Sequence, residues 1–340
     1  MSRVYLDHNA SAPLRPEARA AMLAALDVAG NPSSVHAEGR AARALVEAAR
    51  AEVAAAVGCT PVEVVFTSGA TEAASVLARL PGRVEVEPTA HDALWAQRRE
   101  GEGAGSYAMG LANGETGLIA ALPEGRAGLL LLDLTQALGR VPFSFAWSGA
   151  DLAVLSAHKL GGPKGVGALI VRDGLDIASL LPGGGQESGR RSGTENVIGI
   201  AGFGAAATAA LRDQADGVWA RVAELRNILE TGVEAASPET IFVGKGGLRL
   251  PNTTCFATPE WKGETQVMAM DLAGFAISAG SACSSGKVRE SRVLRAMGFG
   301  ADVAGSAVRV SLGPQTREDE VLRFVQAWVE RRARQRARAA

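Results

Sequence analysis

The sequence predicts an α/β fold with a mostly parallel central sheet flanked by helices, followed by a smaller α+β domain. Short runs of β-branched residues or leucine alternate with alanine-rich stretches of helical periodicity, which is the order of strands and crossover helices. Each run ends in small or polar residues, where a loop or helix should begin and where open α/β sheets bind ligands. The strands predicted in this way cover residues 62–66, 83–86, 129–132, 152–155 and 168–171.

The pattern changes after about Gly204, where a long amphipathic stretch over 205–234 begins. Short strands are then predicted at 253–257, 274–278 and 308–311. We therefore expect a large domain over 12–204 and a small C-terminal domain over 205–340 that also includes residues 1–11.

Composition excludes several classes of protein. With 340 residues, 47% hydrophobic and 21% charged side chains and a net charge of -1, the chain matches neither a disordered protein nor a whole-surface nucleic-acid binder. The three cysteines, Cys59, Cys255 and Cys283, form no CxxC pair, so we expect neither a disulfide framework nor a metal site. We find no signal-peptide pattern or membrane-length apolar run, and we expect a cytoplasmic protein without membrane contact.

The first candidate site is the run Thr67-Ser68-Gly69-Ala70-Thr71-Glu72, which leads from a predicted strand into an alanine-rich helix. Free backbone N–H groups and the positive end of the helix dipole suit a phosphate there, with the Thr71 hydroxyl as a further donor. A capped helix start explains the same residues equally well.

The second candidate is Asp133, which closes the leucine run at 129–132. A carboxylate at the end of a buried strand is costly unless a positive group faces it, and a protonated heterocyclic nitrogen would be such a partner. An isolated aspartate more often caps the next helix.

The third candidate is Lys159 in the segment that follows the predicted strand at 152–155. A lysine held there among small residues is what a Schiff-base catalyst requires, and Ser156 and His158 could bind an anion beside it. If this motif stood alone, Lys159 and Lys164 would be interpreted as exposed loop lysines.

The order of these motifs resembles the fold-type I pyridoxal-phosphate enzymes of the class V aminotransferase family, and within it the cysteine desulfurases of the nitrogen-fixation and iron-sulfur-assembly type. The motifs are Ser-Gly-Ala-Thr at 68–71, Asp-x-x-Gln at 133–136 and Ser-x-His-Lys at 156–159. Further matching stretches lie at 5–10, 30–36, 183–187, 191–196, 278–286 and 309–312.

The resemblance implies a pyridoxal 5'-phosphate cofactor and a role for each matched residue. Lys159 would hold the cofactor as a Schiff base, Asp133 would pair with the pyridinium nitrogen, and Gln136 would bond the ring hydroxyl. His91 would stack on the ring and act as an acid or base. The implied phosphate ligands are Ala70, Thr71, Ser156, His158 and, from the neighbouring subunit of a homodimer, Thr194. Substrate contacts are expected from Arg309, Asn9 and Arg191, the last as a weaker candidate because an arginine beside a turn is more often part of a surface ion pair.

Cys283 is the predicted nucleophile, because it lies in a run of Gly, Ser and Ala, whereas Cys59 and Cys255 are predicted to be buried and inert. A basic neighbour such as Lys287, Arg289 or His91 would favour its thiolate. The resemblance implies conversion of L-cysteine to L-alanine with a persulfide on Cys283. That sulfur would pass to an acceptor or scaffold protein, for iron-sulfur cluster assembly or tRNA thiolation.

The chain departs from the family pattern in ways that keep alternatives open. Gly114 stands where relatives carry the second of two asparagines, which bonds the ring hydroxyl. Gln136 can still make that bond and Asn113 could, so we expect weakened or retuned cofactor binding rather than its loss; the segment over 92–132 is also short. Ser188 replaces a frequent arginine. Relatives dock their scaffold protein through a longer tail than the arginine-rich end at 331–338, so we do not expect scaffold docking by that route. The alternatives are a selenocysteine lyase or other class V aminotransferase-like activity, and a catalytically weak binding or regulatory homologue.

Overall fold

The computed structural model describes residues 3–103, 105–125, 127–280 and 290–339. The strands in these ranges are β1 (Val4–Tyr5), β2 (Val64–Thr67), β3 (Val84–Val86), β4 (Ser106–Gly110), β5 (Leu129–Asp133), β6 (Leu152–Ser156), β7 (Gly167–Val171), β8 (Ile241–Phe242), β9 (Thr253–Ala257), β10 (Phe275–Ala276), β11 (Ser278–Ala279) and β12 (Ala307–Ser311). The α-helices are α1 (Pro16–Leu26), α2 (Ala37–Val57), α3 (Ala70–Ala74), α4 (Asp92–Trp95), α5 (Val197–Ala215), α6 (Val218–Ala236), α7 (Gly263–Leu272), α8 (Arg292–Ala296), α9 (Ala301–Ser306) and α10 (Glu318–Ala339). None of the helices described is both long and apolar enough to cross a membrane.

The chain divides into two compact units. The large unit consists of Ser11–Leu111 and Ala120–Asp216, and the small unit of Met1–Ala10, Ala112–Ile119 and Gly217–Ala340. The division after Asp216 differs from the predicted boundary after residue 204, because that boundary would cut α5.

The large unit is built on a sheet with the strand order β2-β7-β6-β5-β4-β3. Every neighbouring pair is parallel except for the two that β7 forms with β2 and β6. The prediction of a mostly parallel α/β sheet is therefore confirmed. Strand β4 was not predicted, because its residues, Ser-Tyr-Ala-Met-Gly, lack an aliphatic run.

Small residues let the helices of the large unit approach one another closely. Helix α5 packs on α1 and α2, and a Cβ at Gly204 would lie 2.7 Å from the Cα of Ala49 on α2. The amphipathic stretch over 205–234, predicted as one unit, is in fact the end of α5 and most of α6, separated at Asp216 and Gly217.

The small unit contains an antiparallel sheet with the order β11-β12-β9-β8 and a separate parallel pair, β1 and β10. Its core includes an aromatic cluster in which Trp328 contacts both Phe256 and Trp261, with ring centroids 5.8 and 5.6 Å away. Helix α10 contributes Val321, Phe324 and Trp328 to this core.

Candidate active site

The candidate residues of the large unit follow strands that end at the same edge of its sheet. Strands β2, β3, β5 and β6 all run in one direction, since β7 is antiparallel to both of its neighbours. Their carboxyl ends therefore share an edge, which is where open α/β sheets bind ligands. The residues that follow these ends are Ala70 and Thr71 after β2, His91 after β3, Gln136 after β5, and His158 and Lys159 after β6, while Asp133 and Ser156 are the last residues of β5 and β6.

Gly167 allows two of these segments to approach one another. It pairs with Thr67 on β2 and with Ser156 on β6. A Cβ at Gly167 would lie only 2.6 Å from the Cα of Gly69, while one at Gly69 would lie 3.8 Å from Ser156 Oγ. Because residue 167 has no side chain, the backbone before α3 can approach the end of β6, where the Ser156 hydroxyl lies.

His158 and its neighbours make this end of β6 electropositive. Its Nδ1 lies 3.2 Å from Ser11 Oγ. Burial, with the positive charges of Lys159 and Lys164, lowers the pKa of His158 to about 4 from an ordinary value of 6.5. The ring is therefore neutral at neutral pH, and the two lysines provide positive charge beside a set of hydroxyl and N–H donors. This chemistry fits a phosphate group.

Asp133 and its surroundings fit a polar ring. The carboxylate is partly buried at the end of β5, and its Oδ1 accepts a hydrogen bond from Thr135 N at 2.9 Å, which closes a turn after the strand; the helix that Asp133 was expected to cap as the alternative does not follow. Thr135 Oγ1 is buried and has no hydrogen-bond partner in the part of the chain that the structure describes. A buried hydroxyl of this kind favours a polar ligand nearby.

Arg140 joins the segments that follow β5 and β6. Its Nη1 donates to Gln136 Oε1 at 2.6 Å and its Nη2 donates to the Lys159 carbonyl oxygen at 3.0 Å. Lys159 itself is partly buried at the end of a 3₁₀ turn, Ala157–Lys159. Arg140 was not predicted from the sequence, although its spacing of four residues from Gln136 was an available signal.

His91 is exposed and caps α4. Its Nδ1 accepts a hydrogen bond from Ala93 N at 3.1 Å, so the proton of the neutral ring lies on Nε2. The cap gives the ring a fixed tautomer at the carboxyl end of β3.

Arg191 forms an ion pair in the large unit. Its Nε lies 2.8 Å from Glu72 Oε1, and Glu72 Oε2 also accepts from Ser68 N at 2.7 Å. Burial by itself raises the pKa of the Glu72 carboxyl, but these hydrogen bonds outweigh it and lower that pKa. The arrangement is the ion pair considered for Arg191, and it secures the loop before α5 to α3. Thr194, further along that loop, is exposed.

A second buried pair holds the end of β2. Glu187 accepts from Arg50 through both carboxylate oxygens, at 2.7 and 2.9 Å, and its Oε2 also accepts from Phe66 N at 2.8 Å. Glu187 has a φ of 50°, a left-handed conformation that is uncommon for a residue with a side chain. The pairing was not identified from sequence, although Glu187 lies in a matched stretch, because nothing local relates positions 50 and 187.

The small unit places Arg309 beside a carboxylate. Arg309 Nη2 donates to Asp7 Oδ1 at 2.8 Å and Nη1 donates to the Gly114 carbonyl oxygen at 3.1 Å. Its Nε is buried without a hydrogen-bond partner among the described residues. Two of the three guanidinium nitrogens thus donate hydrogen bonds within the unit.

Asn9 and Asn113 organise the same part of the small unit. Asn9 is fully buried and donates to Gly114 O at 3.1 Å and to Thr253 Oγ1 at 2.8 Å. Asn113 Oδ1 accepts from the backbone N–H groups of Glu115 and Thr116, both at 2.9 Å, and so closes the turn that contains Gly114.

Cys283, the predicted nucleophile, lies outside the described residues. Of the other two cysteines, Cys255 is fully buried and its pKa is raised by burial and by the negative charge of Glu115. Burial and the nearby Glu63 carboxylate raise the pKa of Cys59 to about 12. Neither thiol has appreciable thiolate character at neutral pH.

The sheet of the large unit and the residues at its carboxyl edge have the fold-type I architecture. The chain belongs to the aminotransferase class-V family, whose sequence profile matches residues 4–91 and 104–324. The family predicted from the ordered motifs is therefore confirmed.

Similar proteins cover nearly the whole chain. A cysteine desulfurase of Cereibacter sphaeroides is 40% identical over 370 residues, which span 96% of this chain and 95% of the relative. One from Enterobacter agglomerans is 37% identical over 94% of this chain and 90% of the relative. Among solved structures, a NifS-like protein of Rickettsia africae has a TM-score of 0.88 and 28% identity over 96% of this chain and 99% of that one.

Proposed function

We propose that this protein is a pyridoxal-phosphate-dependent cysteine desulfurase, which converts L-cysteine to L-alanine and leaves the sulfur as a persulfide on Cys283. The observation that carries the proposal is that Lys159, Asp133 and Ser156 share one sheet edge in a chain that aligns with cysteine desulfurases over 96% of its length.

The residues at this edge fit the cofactor. Lys159 would hold its aldehyde carbon, Asp133 its pyridinium nitrogen and Gln136 its ring oxygen, while His91 would stack on the ring. The phosphate would be bound by the start of α3, at Ala70 and Thr71, by Ser156 and His158, and by Thr194 of the neighbouring subunit. When bound, pyridoxal phosphate supplies an electron-poor ring that accepts the electron pair released at the substrate Cα.

Each side chain then has a defined task. Arg309, assisted by Asn9, would bind the substrate carboxylate, since a guanidinium matches its planar geometry. Lys159 Nζ would accept the Cα proton, and His91 Nε2 would exchange a proton with the substrate. Asn113 would support the ring oxygen in place of the asparagine that Gly114 replaces, and Arg191 would hold the loop beside α3.

The proposed transfer of sulfur to Cys283 requires no external oxidant. The Cys283 thiolate forms a bond to the substrate sulfur as the bond between that sulfur and Cβ breaks. The electron pair of the broken bond remains on carbon, which takes up a proton and becomes the methyl group of alanine. The sulfur is oxidised to the persulfide level while the carbon is reduced.

We further propose that the protein acts as a homodimer in the cytoplasm and passes its persulfide sulfur to an acceptor or scaffold protein. Three cysteines without a CxxC pair support a reducing compartment. The exposure of Thr194, which the resemblance assigns to the cofactor of a neighbouring subunit, supports the dimer.

Mass spectrometry after addition of L-cysteine tests the proposal. We expect one additional sulfur atom on the peptide that contains Cys283, together with one alanine per sulfur transferred. Lys159→Ala should lose both the yellow cofactor band and the added sulfur. Cys283→Ser should keep the band but form no persulfide. A colourless parent that stays colourless with added cofactor would instead identify a binding or regulatory homologue.

A further inference from the structure

Arg140 contacts two residues that are proposed to hold the cofactor, Gln136 and Lys159. The residue is 6% exposed, and its guanidinium donates to Gln136 Oε1 at 2.6 Å and to Lys159 O at 3.0 Å. A guanidinium has donors and no acceptors, so the direction of both hydrogen bonds is fixed. Arg140 therefore determines which end of the Gln136 amide faces it.

The turn that carries Arg140 is itself held in place. Leu138 N donates to Leu134 O and Arg140 N donates to Ala137 O, both at 3.0 Å. Between them Gly139 has a φ of +71°, and a Cβ there would lie 2.6 Å from Cβ of Ala210 on α5. A side chain at 139 would strain this turn, so glycine lets the chain direct Arg140 back toward Gln136 and Lys159.

We propose that Arg140 is a positioning residue that holds the Gln136 amide in one orientation and braces the backbone of Lys159. The inference rests on the proposed function. Because Oε1 accepts from Arg140, the Nε2 end of Gln136 can only donate. A donor beside the cofactor's ring oxygen favours its deprotonated form. Arg140 thus acts on the protonation of the cofactor through Gln136.

Replacing Arg140 by methionine tests this role. In Arg140→Met the hydrogen bond to Gln136 Oε1 is lost, so the orientation of the Gln136 amide is less restricted. We expect about tenfold weaker binding of pyridoxal phosphate to the apoprotein. We also expect the pH midpoint at which the cofactor's visible band changes to rise by about half to one pH unit, because the deprotonated oxygen loses a donor. Arg140→Lys, which keeps the charge but not the planar fork, should show part of both changes.

Arg15 provides a matched control. It is a similarly buried arginine, with 10% of its side chain exposed, and its Nε donates to the carbonyl oxygen of Leu160, next to Lys159, at 2.8 Å. Its Nη2 pairs with Asp213, so these two bonds brace the same turn and neither involves Gln136. Arg15→Met should leave the pH midpoint of the band within about 0.2 pH units of the parent, a difference too small for a lost hydrogen bond. An equal shift in Arg15→Met and Arg140→Met would overturn the proposal.

A double variant separates action through Gln136 from a general effect on folding. In a Gln136→Leu background, Arg140→Met should add little to the shift of the pH midpoint; full additivity would contradict the proposal. A parent without a cofactor band would refute the proposed function and this inference together. A parent with the band and an unchanged midpoint in Arg140→Met would refute only the inference. If Arg140→Met does not fold, the midpoint of Arg140→Lys decides in the same way.

Discussion

Arg309 and Asp7 form an ion pair in the small unit, with Nη2 of the arginine 2.8 Å from Oδ1 of the aspartate and both side chains largely buried. Ser278 Oγ donates to the other carboxylate oxygen of Asp7 at 2.8 Å, which fixes the carboxylate in turn. The guanidinium that we assign to the substrate carboxylate is therefore already oriented by a carboxylate of its own chain.

Arg309→Lys is predicted to raise the KM for cysteine at least about tenfold while the cofactor band is retained. An ammonium is a single point charge without the planar set of donors of a guanidinium. It therefore cannot donate hydrogen bonds to Asp7, the Gly114 carbonyl oxygen and the substrate carboxylate in one plane. Steady-state kinetics and an absorbance spectrum measure the two quantities. Arg317→Lys is the control, because Arg317 is exposed and pairs with Asp319. A parent-like KM in Arg309→Lys would remove Arg309 from the substrate site.

Glu187→Gln is predicted to destabilise the protein by about 3–5 kcal/mol, because it leaves the Arg50 guanidinium buried with a weakened partner. The Glu187 side chain is only 2% exposed, and Arg50 is 11% exposed. Glu47→Gln removes another carboxylate from the same arginine, but Glu47 is half exposed, so less than about 1 kcal/mol should be lost. Chemical denaturation measures both variants. Equal losses would show that burial does not govern the contribution of these carboxylates.

The lowered pKa of His158 predicts a loss of stability on acidification. In the unfolded chain this histidine takes up a proton near pH 6.5, whereas in the folded protein it does so near pH 4. Between these values the unfolded state binds more protons, so stability is fully present above pH 6.5 and declines as the pH falls toward 4. Thermal unfolding of cofactor-free protein should show a smaller decline over this range in His158→Gln than in the parent.

The window above about pH 4.5 is the informative part of that experiment. Carboxyl groups with lowered pKa values, such as Glu72 and Glu230, lose their contribution only below it. If His158→Gln and the parent lose stability in parallel between pH 6.5 and 4.5, His158 is not the group responsible.

Thiol alkylation should distinguish Cys283 from the other cysteines. The raised pKa values of Cys59 and Cys255 suppress their thiolates, and Cys255 is also inaccessible. Brief treatment of the folded protein with iodoacetamide at pH 8, followed by peptide mass spectrometry, should label Cys283 alone. Labelling of all three is expected only after denaturation, and rapid reaction of Cys59 in the folded protein would contradict this assignment.

The sequence correctly predicted those strands and strand ends that are determined by their own residues. The strand at 253–257 has the predicted bounds, and the leucine run before Asp133 forms a strand with that aspartate at its end. The motifs at 68–71, 133–136 and 156–159 each lie within a few residues of a strand end, so hydrophobic pattern and turn chemistry located them. Strand β4 was not predicted from the sequence, because its pairing with β3 and β5, rather than its own residues, makes it a strand.

The sequence by itself determined the α/β class, the family and which residue types follow each strand of the main sheet. Only the tertiary structure decided the partners of those residues: Arg140 for Gln136, Glu187 for Arg50 and Asp7 for Arg309. The pairs Arg50–Glu187 and Arg309–Asp7 join residues more than a hundred positions apart. The physical reason is that strand and helix patterns arise from neighbours along the chain, whereas a buried charge is stabilised by whichever polar group folding brings to it.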